Sequence, residues 1–140
     1  MYEKILLAAD GSDNSVRAAK EAAKIAELIP SPYTLEVVYV ADFSKAKNDV
    51  LHSQGKEELE LSRRQKILPI EEALKAKNIS YEVTILHGEP GPTIVEHANS
   101  EQFDLVVIGS RGLNVFQEMV LGSVSHKVVK RANCPVLIIK

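Results

Sequence analysis

At 140 residues the chain is the size of one ordinary domain, residues 1-140, long enough to bury most of its apolar surface without staples and too short for a comfortable second unit. Hydrophobic residues make up 45%, charged residues 26%, and the formal net charge is -2; this balance fits a globular chain and sets aside one that works through nucleic-acid phosphates. Cys134 is alone, so no intrachain disulfide forms, and no apolar run approaches membrane-spanning or secretory-signal length; a cytoplasmic protein with neither nucleic acid nor membrane as partner is expected.

The apolar run from Ile5 to Ala9 ends in Asp10-Gly11-Ser12, the pattern of a strand buried on both faces and then a tight turn. Val16, Ala19, Ala23 and Ala26 recur at helical spacing, joined by Ala22, Ile25 and Ile29, with Asn14 or Ser15 as the expected cap and Pro30 as terminator. So many alanines imply close packing on a sheet. Thr34 to Val40 read as a second, β-branched strand. From Ala41 to Gly55 the chain is polar and aperiodic, either a lid over a binding site or a solvated connection.

A helix is expected from about Lys56 to Ala76, with Ile67, Ile70 and Leu74 on one face and Pro69 kinking or dividing it. Tyr81 to Leu86 form a third strand, His87 to Gly91 a turn, and Pro92 to Asn99 a short helix with Pro92 at its first position. Leu105 to Ile108 make the fourth strand. A last helix carries Val124, Val128 and Ala132 on one face, with Lys127, Lys130 and Arg131 near its negative end, and Pro135 to Ile139 close the chain as a fifth strand. Five strands alternating with helices predict an α/β fold: a single-domain, doubly wound five-stranded parallel sheet, order 3-2-1-4-5, with helices on both faces.

Between the fourth strand and the last helix lie Gly109-Ser110-Arg111-Gly112 and, nine residues later, Gly122-Ser123-Val124-Ser125. Glycines at both ends let main-chain N–H groups converge on an anion, Ser123 is placed to cap the helix, and the helix's positive end faces the same point. Ligands of open parallel sheets bind beyond the carboxyl ends of the strands where strand order reverses. The predicted order makes the ends of strands one and four neighbours there, with a crevice for a nucleotide between them.

The pattern Gly-x2-Gly-x9-Gly-Ser, with Asp-Gly-Ser after strand one, Val-Tyr-Val-Ala-Asp ending strand two, Gly88 and Pro90 before the third helix, and the closing Cys-Pro-Val-Leu-Ile-Ile, resembles the ATP-binding branch of the universal stress protein family. The resemblance spans the whole chain. It implies that Ala8, Ala9 and Asp10 line the adenosine and that the Val40 backbone meets adenine; burial of adenine then calls for apolar walls such as Val40 and Ile108. It places Gly109, Arg111 and Gly112 on the ribose and phosphate side, and Gly122, Ser123, Val124 and Ser125 around the triphosphate. Arg111 stands where relatives often carry His. A carboxylate such as Asp10 repels phosphate but suits ribose hydroxyls, although a helix cap is its other reading.

The expected cofactor is therefore ATP, or ADP or AMP, with Mg2+ held mainly by the phosphates. His52, His87, His97 and His126 have neither ligand spacing nor companion carboxylates for a protein metal cage. With no Walker lysine and no paired carboxylates, no catalytic residue is assigned, and slow ATP hydrolysis is the most that is expected of a nucleotide-dependent stress-response switch or interaction module. The alternatives are an enzyme of the related adenine-nucleotide α-hydrolase-like fold and a dimeric interaction protein without nucleotide. Pro135 to Ile139, apolar on both faces and at a sheet edge, is where the family resemblance implies a homodimer.

Overall fold

The two runs that are apolar on both faces become neighbouring central strands. In the computed structural model, which describes residues 2–30, 32–41, 56–111 and 121–140, the elements are β1 (Lys4–Ala9), α1 (Asp13–Glu27), β2 (Thr34–Ala41), α2 (Lys56–Lys75), β3 (Glu82–His87), α3 (Pro90–Ser100), β4 (Leu105–Gly109), α4 (Ser123–Arg131) and β5 (Val136–Ile139). All five strands are parallel, in the order β3-β2-β1-β4-β5, as the alternation of elements predicted. Ile5 pairs with Leu35 on one side and Leu105 on the other, so β1 is hydrogen-bonded on both edges and the tips of β1 and β4 lie side by side.

Each face of the sheet has its own core. Ile5, Leu7 and Ala9 of β1 pack with Val37, Leu105 and Val107 under α1 and α2, whose contributions are Ala18, Ala19, Ala22, Ala23 and Ala26 on one helix and Ile70 and Leu74 on the other. Leu6 and Ala8 pack with Val38, Val106 and Ile108 under α3 and α4, through Ile94, Ala98 and Val128. Full burial of a Leu or Ile contributes about 1.5–3 kcal/mol, so these two layers supply most of the driving force. Among the described residues no helix is long and apolar enough to cross a membrane.

Several local readings change. Ser12 caps α1, its Oγ accepting from Ser15 N at 3.2 Å, while Asn14 and Ser15 are buried inside the helix; the first apolar residue in register, Val16, lies a full turn past the true start. Gly122 rather than Ser123 is the N-cap of α4, and no side chain caps that end. Pro90 opens α3, so Pro92 falls within its first turn, where a missing N–H costs nothing either way. Pro69 does not divide α2: it sits on the exposed face, where water can take the carbonyl of Gln65 that loses its donor. β3 runs one residue further than expected because His87 pairs with Ala41. Cys134 is half-buried beside the α3–α4 core, and burial pushes its thiol up from the ordinary value, which favours the unreactive form.

Candidate functional site

β1 delivers its chain directly into a turn that the sequence Asp10-Gly11-Ser12 builds from local bonds. Asp10 Oδ1 accepts from Ser12 N at 2.9 Å, and Gly11 takes a φ of +85°, a conformation that L side chains rarely adopt. This aims the Ser12 cap and α1 back along the sheet. Asp10 is half-buried at the mouth, with Oδ2 accepting no hydrogen bond among the described residues.

At the tip of β4, Gly109 has no positive φ, so it is required by space and not by conformation. A Cβ there would lie 2.7 Å from Asn14 Cβ and 3.1–3.2 Å from the Asn14 carbonyl group. Helix α1 thus rests its first turn on the strand tip. Asn14 Nδ2 donates to Ser110 Oγ at 3.3 Å, and Arg17 donates to Asn14 Oδ1 and, through Nε at 2.8 Å, to the Lys140 carbonyl.

Ser110 is the hub of the loop. Its N–H donates to the Ile139 carbonyl at 2.7 Å; its own carbonyl accepts from Gly122 N at 2.8 Å and from Ser125 Oγ at 2.8 Å. The residues leaving β4 and those entering α4 are therefore clasped together, and the start of α4 is held at the sheet's carboxyl edge. Ser125 is buried, and its one hydroxyl hydrogen is shared between the Ser110 carbonyl at 2.8 Å and the Gly122 carbonyl at 3.1 Å, so it serves the clasp, whereas Ser123 is exposed. With no side-chain cap and no acidic residue in the first turn of α4, the N–H groups of that turn keep their donors and their partial positive charge for a ligand.

The remaining candidates fall on two faces. Ala8 and Ile108, buried, and Val40 and Val124, partly buried, all belong to the α3–α4 layer and form one apolar wall beside the start of α4. Ala9 belongs to the opposite layer, under α1 and α2, leaving only its backbone for this crevice. Arg111 is half-buried at the loop's exit from β4. Gly112 and the stretch 42–55 lie outside the described residues.

Sequence reasoning missed Asn14 as the wedge behind the loop and Ser110 as its hub; the two are 96 positions apart and no local pattern couples them. His97 also has a carboxylate companion, contrary to expectation: its Nε2 is 2.8 Å from Glu36 Oε1, with Phe103 against the ring at 5.5 Å. That pair offers two donors where a structural zinc takes four.

The chain as a whole is similar to known proteins. The sequence matches the model of the universal stress protein family over residues 1–140. It is 33% identical to universal stress protein MJ0531 of Methanocaldococcus jannaschii, covering 100% of this chain and 83% of the relative. The solved structure of MJ0577, from the same organism, superposes with a TM-score of 0.83 at 28% identity over 100% of this chain and 96% of that one. A universal stress protein crystallised in complex with cAMP superposes with a TM-score of 0.70 at 26% identity over 99% of this chain and 97% of that one. On this sequence match, this fold and this strand order, the chain belongs to the universal stress protein family.

Proposed function

We propose that the protein binds an adenine nucleotide, ATP in the first instance, in the crevice between the tips of β1 and β4, and works as a nucleotide-dependent switch or interaction module in a stress response. The observation that carries this reading is the clasp at Ser110, which holds an α4 N-terminus without a side-chain cap beside the apolar wall of Ala8, Val40 and Ile108. A helix start without a side-chain cap supports phosphate binding, the wall supports a base, and Asp10 supports ribose hydroxyls. The relative crystallised with cAMP supports the adenine nucleotide class.

A helix terminus contributes at most about 2 kcal/mol to an anion, whereas micromolar affinity needs about 8 kcal/mol. Backbone N–H bonds from Gly109, Arg111, Gly112, Ser123, Val124 and Ser125, with the Gly122 N–H engaged in the clasp, burial of the base, and Mg2+ held mainly by the phosphates supply the difference. The residues fit such a group: a helix start with donors, and no carboxylate cage among the described residues, leave the metal to the phosphates. In this reading no side chain acts as a nucleophile or γ-phosphate clamp, so hydrolysis is slow. The cytoplasm is its place of action, and β5 joins two copies as a homodimer.

Calorimetric titration of ATP, with and without magnesium, on wild type and on Gly122→Val with Ser123→Ala tests ligand and location together. The wild type should bind and the double variant should lose at least about tenfold in affinity. Equal affinity in the two proteins would refute the proposed location.

A further inference from the structure

On the other face of the same sheet edge, two cations of α2 reach down to the tips of β2 and β3. Arg63 and Lys66 are three residues apart and so share one face of the helix. The stem of Lys66 lies against the turn after β1, its Cβ 3.1 Å from where a Gly11 Cβ would stand, and its Nζ is 3.3 Å from the Tyr39 hydroxyl. Arg63 Nη1 is 3.5 Å from His87 Nε2. Tyr39 pairs with Ile85 and Ala41 with His87, so Tyr39 and His87 stand on one face of adjacent strands, the face of Val37 and opposite to Val40.

Among the described residues neither cation is paired with a carboxylate: the ion pairs there join Lys4, Lys24, His97 and Lys127 to acids. Arg63 and Lys66 place two permanent charges beside a phenol and an imidazole, all half-buried except the exposed His87, and among the described residues no carboxylate offsets the two cations. We infer that Arg63, Lys66, Tyr39 and His87 form a second anion site, for the phosphate of a small phosphate monoester. A carboxylate carries one charge, whereas a phosphate monoester carries about -1.5 to -2 and three acceptor oxygens, which matches two cations and two further polar groups. This site does not depend on the nucleotide reading, because it lies across the sheet from Ala8, Val40 and Ile108.

The test follows the histidine ring resonances by carbon–proton correlation NMR while inorganic phosphate, and separately acetate, is added at fixed pH and constant ionic strength. Phosphate should displace the His87 resonance saturably, with His97 and His126 as internal references, and acetate should do so at least about tenfold more weakly. Arg63→Gln or Lys66→Gln should each raise the half-saturating phosphate concentration at least about tenfold, and Lys66→Arg should retain most of the affinity. The inference is overturned if tens of millimolar phosphate leave His87 unmoved, if the glutamine variants titrate like wild type, or if only the Gly122 and Ser123 amides respond.

Discussion

Replacing Gly109 with Ala adds a single methyl group to the tip of β4, and the geometry says where it goes. The new Cβ would sit 2.7 Å from Asn14 Cβ and 3.1 Å from its carbonyl carbon, distances that real Cβ atoms avoid, and the obstacles are near-backbone atoms of a helix anchored on the sheet. They cannot swing aside as the end of a long side chain would. Overpacking of this kind costs about 1–3 kcal/mol, and pushing α1 off the tip weakens the Asn14–Ser110 bond by about 1 kcal/mol more. For 140 residues the unfolding entropy is about 0.3 kcal/mol per degree, so the loss of about 2–4 kcal/mol lowers Tm by about 7–13 °C. Circular dichroism melts measure it. Because the Cβ, carbon and oxygen of Asn14 survive in alanine, Asn14→Ala should not rescue Gly109→Ala. A Tm within about 3 °C of wild type, or rescue by that second change, would show that the strand tip is looser than the packing implies.

Two further outcomes follow from other parts of the molecule. Burial first, then the hydrogen bond to Glu71 Oε1 at 2.9 Å and its negative charge, push the Tyr81 hydroxyl up to about 12. The folded state therefore holds this proton more tightly than the unfolded one: the contribution is complete below pH 10, the ordinary value for a tyrosine hydroxyl, and is lost as pH rises towards about 12. Urea unfolding across that range should show stability falling with pH, and Tyr81→Phe should flatten the fall; identical slopes would refute the assignment. At the sheet edge, Leu137 of β5 is exposed and no strand lies beyond it among the described residues, so under the proposed homodimer Leu137→Lys should give a monomer by light scattering where the wild type gives a dimer. A dimer that survives the substitution would move the interface elsewhere.

What could be read from the chain was whatever is written locally. Ile5 to Ala9 and Leu105 to Ile108 announce central strands because both of their faces are apolar, and the alternation of strand and helix patterns leaves one economical strand order. The glycine-rich stretch reads as the link between the fourth strand and the last helix, and Gly109 does end β4 while Gly122 caps α4. Helix ends were harder: Ser12, Asn14 and Ser15 are all good caps by type, and the choice falls to Ser12 because the turn at Gly11 starts α1 there. Contacts between distant segments left no trace at all. The Asn14–Ser110 bond, the Ser110 clasp, the His97–Glu36 pair and the meeting of Lys66 with Gly11 and Tyr39 depend on how α1, α2 and α3 lie on the sheet, which no window of sequence encodes.

Crystals grown without ligand and soaked with ATP and magnesium test the central proposition most directly. The account predicts density for a nucleotide with its phosphates at the start of α4, within hydrogen-bonding distance of the Ser123 and Val124 amides, its ribose at Asp10 and its base against Val40 and Ile108. Density elsewhere on the molecule, or a crevice filled by the protein's own side chains, would contradict it.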